Sequence, residues 1–289
     1  MSETVAVIGG GPAGSQAAIW LSKLGIPVRV YEAAGSLGGL QRQSPFSNSW
    51  IAAVPSDTPA RALAGAMDAN VRGLGIPVVP RSVVSIIRKS AGFQVVTGAS
   101  IEAHSVVLLA TGTRPRRTGL EDERSVFAGL SSVGSFSGQG QRVAILGGGD
   151  AAFEAFHILR ERGSICRIFA RSLRARAALR AHVPDEAIGI GQFTIDGGCV
   201  SGDVMGWEFD AAFVLYGWEP SLPILHGISL EKDEEGFICV DRAGATSVVG
   251  IFAAGDIVAG SHPCVSTALG SAAHAAKGIE RLVASPKNL

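Results

Sequence analysis

The sequence holds no apolar run approaching the roughly 20 residues that a membrane-crossing helix needs, although 47% of its 289 residues are hydrophobic. Its longest apolar stretches, Ser105-Val-Val-Leu-Leu-Ala110 and Asp210-Ala-Ala-Phe-Val-Leu-Tyr216, are strand-sized. They read as buried parallel strands. An excess of charge is missing too: 25 basic side chains face 25 acidic ones, which argues against a nucleic acid gripped by bulk charge. Zero net charge with a high apolar fraction also excludes a disordered chain. Cysteine is sparse, at 166, 199, 239 and 264, with no CxxC. That scatter fits reduced, unpaired thiols and offers no zinc or iron–sulfur spacing, so no metal is expected. A strand is expected from Thr4, which leaves no room for the charged and apolar regions of a signal peptide. A cytoplasmic protein is therefore expected.

Glycine is what the sequence has in quantity, with 38 residues. The first informative cluster is Val5-Ala-Val-Ile-Gly9-Gly-Gly11-Pro12-Ala13-Gly14, followed by an apolar-periodic segment to Leu24 and then Val28-Arg-Val-Tyr-Glu32. It reads as strand, glycine turn, helix, strand. Gly9 allows the tight turn, Gly11 lets the backbone approach a pyrophosphate, and Gly14 lets helix and strand pack closely. The helix N-terminus then presents free N–H groups and a positive dipole end to the phosphates. Glu32 stands 18 positions after Gly14, where a carboxylate can accept hydrogen bonds from a ribose diol. The plain alternative, a tight turn with no ligand, explains neither the strand–helix context nor the acid.

A second cluster, Arg142-Val-Ala-Ile-Leu-Gly147-Gly-Gly149-Asp150-Ala151-Ala152, repeats the form, with a helix expected over 151–162 and a strand over 164–169. The position equivalent to Glu32 holds Ala170, and Arg171, Arg174, Arg176 and Arg180 follow. A carboxylate would repel a 2′-phosphate, whereas arginine pairs with one. Arg171 and Arg176 are therefore candidate NADP contacts and NADPH is expected over NADH. The alternative is an arginine-rich solvated face. Two dinucleotide turns in one chain suit a flavin together with a nicotinamide.

With Gly38-Gly39, Leu109-Ala-Thr111-Gly112, Gly217-Trp-Glu-Pro220 and Gly250-Ile-Phe-Ala-Ala-Gly255-Asp256 added in order, the chain resembles the low-molecular-weight thioredoxin reductases. These are FAD/NAD(P) flavoproteins of the class II pyridine nucleotide-disulfide oxidoreductase fold. The resemblance implies an α/β protein of two Rossmann-like three-layer domains. A shortened NAD(P) domain at 114–225 is inserted into an FAD domain split between 1–113 and 226–289. It implies FAD contacts from Gly9, Gly11, Pro12, Ala13, Gly14, Glu32, Gly39, Gln41, Thr111, Gly112, Gly255, Asp256 and Val265. NADP contacts would come from Gly147, Gly149, Asp150, Ala151, Arg171 and Arg176. In this family the acid at Asp256 contacts the ribityl or phosphate region. The helix that follows points its N-terminus at the flavin pyrimidine, where a dipole stabilises negative charge. The resemblance also implies a homodimer.

Three stretches of the sequence depart from the family. The family's redox CxxC falls on Leu130 and Val133, so the dithiol relay to thioredoxin is missing. The family's His-Arg-Arg is laid on Phe169-Ala-Arg171, leaving one arginine. Ser44 to Pro55 replaces the family's Asn-Phe-Pro-Gly stretch, and its Trp50 could shield the flavin, although packing is the commoner role. Finally, His262 and Cys264 fall where the chain meets the flavin. A thiol at a helix N-terminus can be reactive and a histidine can donate a proton, so both are candidate catalytic residues. Packing and a solvated loop are the alternatives.

The reading that follows is an FAD-dependent NAD(P)H oxidoreductase that passes electrons from the flavin directly to a small molecule or a redox protein. A ferredoxin or flavodoxin reductase is an alternative, with arginines at 114–117 and 171–180 to dock an acidic partner. A flavin-dependent oxidase of a small metabolite, or a flavin binder with a degenerate NADP site, is the other. No nucleic-acid or membrane partner is expected.

Overall fold

The computed structural model describes residues 4–120 and 125–284. They divide into two compact units, Met1–Thr113 with Glu219–Leu289, and Arg114–Trp218. The helices are α1 (Pro12–Lys23), α2 (Ala60–Gly73), α3 (Gly129–Ser135), α4 (Asp150–Glu161), α5 (Ala177–Arg180) and α6 (Val265–Val283). None of the described helices is long and apolar enough to cross a membrane.

The first unit is built on a five-stranded parallel sheet in the order Ile251–Ala253, Val106–Leu109, Val5–Ile8, Val28–Tyr31, Val78–Val79. Val5–Ile8 and Val106–Leu109 are apolar throughout and buried at every residue, because both faces of the sheet are covered. Alternate residues separate the two cores. Val5, Val7, Val28, Val30, Val106 and Leu108 face an alanine-rich layer from α1 and α6. Ala6, Ile8, Tyr31, Val107 and Leu109 join Ile86, Phe93 and Val95 of a four-stranded sheet, Ile224–His226, Val83–Lys89, Gly92–Thr97, Ile101–His104.

The second unit repeats the plan. Its parallel sheet runs Ile188–Ile190, Ile165–Ala170, Arg142–Leu146, Ala211–Val214, Val126–Ala128. Val143, Ile145 and Phe213 pack against Phe153, Phe156 and Leu159 of α4. On the other face Ala144, Leu146, Phe169, Ala212 and Val214 meet an antiparallel meander, Phe193–Asp196, Cys199–Gly202, Trp207–Glu208. Both units are thus Rossmann-like α/β folds, as the sequence implies.

The chain leaves the first unit after Thr113 and re-enters it at Glu219. The return lies at 218, seven residues before the expected 225. The intervening strand Ile224–His226 pairs in parallel with Ser85, Ile86 and Ile87 of the first unit, which fixes its membership.

Candidate cofactor sites

In the first unit the glycine turn is shaped by steric demand. Gly9 has φ +101°, and a Cβ there would lie 2.4 Å from Ala110 O. A Cβ on Gly14 would lie 1.8 Å from Gly9 O and 3.2 Å from Val7 Cγ1. Gly11, by contrast, has open space: a Cβ there would find nothing nearer than Gly39 Cα at 3.9 Å. Gly11 is also the N-cap of α1, Pro12 is its first residue, and no side chain caps the helix. The first N–H groups of α1 therefore face a position that an anion can fill. At the end of Val28–Tyr31, Glu32 Oε2 accepts from Gly10 N at 2.7 Å and Oε1 from Ala34 N at 2.8 Å. The carboxylate is oriented on the turn, and each oxygen keeps a lone pair for a further donor.

Segments far apart in sequence converge on this turn. A Cβ on Gly39 would be 2.9 Å from Gly11 Cα, one on Gly9 3.0 Å from Thr111 Cα, and one on Gly255 2.8 Å from Ala13 Cβ. Gly38 N donates to Gly10 O at 2.7 Å. Among the described residues of this unit, four buried polar atoms have no hydrogen-bond partner: Gln41 Oε1, Asn48 Nδ2, Thr111 Oγ1 and Asp256 Oδ1. A buried polar group left unpaired costs about 1–3 kcal/mol, so four in one unit mark a place built for a polar ligand. Burial pushes the Asp256 carboxyl above the ordinary carboxylate range, and the charge of His262 opposes that rise. Orphaned donors and acceptors, an uncapped helix N-terminus and a ribose-type carboxylate fit FAD. Gln41, Thr111 and Asp256 are legible in the sequence, while Asn48 is not. It lies in a loop closed by the Ser47–Pro59 bridge, and Asn48 N donates to Thr58 O. Asparagine there is indistinguishable in sequence from an ordinary turn former.

Cys264 is the N-cap of α6. Its sulfur accepts from Thr267 N at 3.5 Å and lies 3.3 Å from Thr267 Oγ1. Val265 is buried in the first turn, and His262 is exposed, with its carbonyl oxygen accepting from Thr267 Oγ1. The thiol thus has a capping role in the fold. Trp50 is 80% exposed. Gly112 has φ +62° and no atom within 4 Å of a Cβ, so it too borders open space.

The second unit carries its own turn. A Cβ on Gly147 would lie 2.6 Å from Leu215 O and one on Gly148 1.9 Å from Ser172 O, whereas one on Gly149 would meet nothing within 4 Å. Gly149 is the N-cap of α4, again without a side-chain cap, and Asp150 and Ala151 open the helix. Ala170, in place of the ribose acid, is buried at 3% exposure. Arg174 N and Ala175 N donate to Gly148 O at 2.7 and 3.0 Å. Arg176 donates to Asp150 through both its backbone N (2.8 Å) and its Nε (2.6 Å), and its Nη2 lies 3.7 Å from Glu154 Oε1. Glu154 is a partner that the sequence reading does not single out. The two positions laid on the family's cysteines belong to α3, where Val133 is fully buried and Leu130 packs against the same core.

Residues 3–278 match the family of pyridine nucleotide-disulphide oxidoreductases. The F component of alkyl hydroperoxide reductase from Pseudomonas aeruginosa is 31% identical over 301 residues, which cover 94% of this chain and 56% of that protein. NADH dehydrogenase of Bacillus subtilis is 28% identical, covering 95% and 57%. The chain therefore spans little more than half the length of these relatives. Thioredoxin reductase of Borreliella burgdorferi is 29% identical, covering 88% of this chain and 84% of its own. In fold, the chain superposes on thioredoxin reductase of Lactococcus lactis with TM-score 0.85 at 23% identity, over 98% and 100% of the two chains. Bacillithiol disulfide reductase of Bacillus cereus gives 0.81 at 22%, over 97% and 99%. With two glycine turns, each at an uncapped helix, and a matching profile over nearly its whole length, the chain belongs to the family of pyridine nucleotide-disulphide oxidoreductases.

Proposed function

We propose that the chain is an NAD(P)H oxidoreductase that delivers electrons from its flavin to an acceptor without a protein dithiol. The observation that carries this reading is the set of orphaned buried atoms on Gln41, Asn48, Thr111 and Asp256 beside an uncapped α1. When bound, FAD supplies the two-electron chemistry. The chain's own part is to bind and orient. The α1 N-terminus holds the pyrophosphate, Glu32 accepts from ribose hydroxyls, and Asp256 and Thr111 receive the polar groups of the ribityl region. The first turn of α6, with its positive dipole end, favours negative charge on the flavin. In the second unit, Gly147, Gly149 and the first residues of α4 take the coenzyme pyrophosphate, with the arginines after Ala170 favouring NADPH. Val133, buried in the core, supports the absence of thiol chemistry on α3. The acceptor is a small molecule or a redox protein, and the working form is a homodimer without nucleic-acid or membrane partners.

The test is an anaerobic absorbance titration of the FAD-loaded protein. Bleaching of the flavin by NADPH or NADH within seconds is expected. A protein that stays colourless when FAD is supplied, or a bound flavin that neither coenzyme bleaches, overturns the reading. A protein acceptor is favoured by the exposed Arg114, Arg116 and Arg117. Turnover with an acidic electron carrier that falls as salt rises, against salt-insensitive turnover with a quinone, separates the two acceptor classes.

A further inference from the structure

Arg176 stands in the sequence as a reader of the 2′-phosphate, yet its geometry assigns it elsewhere. Asp150 is the first residue of α4, and Glu154 lies one turn further on the same face. Two carboxylates beside an uncapped helix N-terminus oppose an incoming pyrophosphate unless they are neutralised. Glu154 already feels the problem: burial and the Asp150 charge raise its pKa, while Arg176 lowers it. Arg176 donates to both oxygens of Asp150 and reaches Glu154. Turning its guanidinium toward a phosphate would take the positive charge away from both carboxylates, leaving Asp150 only the bond from the Arg176 backbone N. The backbone holds it inward as well, since Arg174 N and Ala175 N donate to Gly148 O, and Ser172 O occupies the space where a Gly148 Cβ would be. The side chains of Arg171 and Arg174 are exposed and make no ion pair or hydrogen bond among the described residues.

We propose that Arg176 is a positioning residue, the counter-ion that makes the second glycine turn receptive to any dinucleotide pyrophosphate, and that Arg171 and Arg174 alone distinguish NADPH from NADH. The proposal rests on the NAD(P)H reading above.

The test measures dissociation constants of NADH and NADPH by calorimetry on the FAD-loaded protein. Arg176→Gln is expected to weaken both coenzymes by the same factor, about 10- to 100-fold, leaving their ratio unchanged within about twofold. Arg176→Lys, which keeps the charge, is expected to recover most of the loss, as is Asp150→Asn added to Arg176→Gln. Arg171→Gln with Arg174→Gln is expected to weaken NADPH alone. Hydrogen exchange without coenzyme supplies a second readout, in which the amides of 174–176 exchange faster in Arg176→Gln and are unchanged in Arg171→Gln. An Arg176→Gln protein that loses NADPH at least tenfold more than NADH overturns the proposal. So does a double variant no better than the single one. A wild-type protein that binds neither coenzyme refutes the NAD(P)H reading itself, and the exchange experiment then decides independently whether Arg176 holds the loop.

Discussion

A Cβ on Gly14 would stand 1.8 Å from the carbonyl oxygen of Gly9, so the first turn of α1 packs on the glycine turn with no room for a side chain. Gly14→Ala must push the helix off the turn. Overpacking of this kind costs about 1–3 kcal/mol, and it moves the N–H groups that face the phosphates. The expected protein folds with a lowered thermal midpoint and retains no flavin, read as the ratio of visible to ultraviolet absorbance. Gly65→Ala, in α2 with nothing within 4 Å of a Cβ, is the control, and it should keep its flavin.

Thr111 Oγ1 is buried and unpartnered. Thr111→Val removes an unsatisfied hydroxyl at nearly constant volume, so the apoprotein should be unchanged or slightly more stable. Flavin affinity should fall about tenfold, the loss of one net hydrogen bond of about 1 kcal/mol or a little more. Thermal midpoints with and without FAD read both effects, and a fall in both would refute the assignment of this hydroxyl to a ligand.

Asp256 has its pKa raised by burial, with the His262 charge opposing. The folded apoprotein therefore binds a proton more tightly than the unfolded chain. The stability this contributes is full below the ordinary carboxylate range and is lost as pH rises through the raised value. Asp256→Asn should abolish that loss and leave the apoprotein more stable at pH 7, while weakening FAD. Urea midpoints of the two apoproteins between pH 4 and 7 test it; parallel curves would contradict it.

His104 is 5% exposed, and its Nε2 lies 2.7 Å from Tyr31 Oη. Burial is the main cause of its lowered pKa. Here the unfolded chain takes the proton first, at about pH 6.5, so stability is full above that value and falls as pH drops toward the lowered one. His104→Gln should flatten the acid limb by up to about 1.4 kcal/mol per pH unit in that window. An unchanged slope in urea denaturation at pH 5–7 would remove His104 from the acid response.

Features that depend on short spacings are legible in the sequence. Each glycine turn, with the strand before it and the helix after it, lies within about twenty consecutive residues, and its steric logic is local. Asp256 and Thr111 were legible because each ends an apolar strand at a glycine. Asn48 was hidden, because a loop carries no periodicity to say which of its polar residues turns inward. Which of four arginines folds back on the turn was hidden as well: Arg176 is caught by a carboxylate 26 positions earlier, and composition weighs all four alike. The return at 218 depends on Ile224–His226 pairing with Ser85–Ile87, a register that only tertiary structure reveals.

The strand order of the first unit sets a timetable for its synthesis. Val106–Leu109 lies between Val5–Ile8 and Ile251–Ala253, and the alanine face of α1 is covered by α6. Both covering elements emerge from the ribosome only after all of 114–218 has been made. The inserted unit is continuous in sequence and can mature while its host still presents an open, wholly apolar strand edge, the kind of surface that invites aggregation. The first unit can close its core only once α6 has been made.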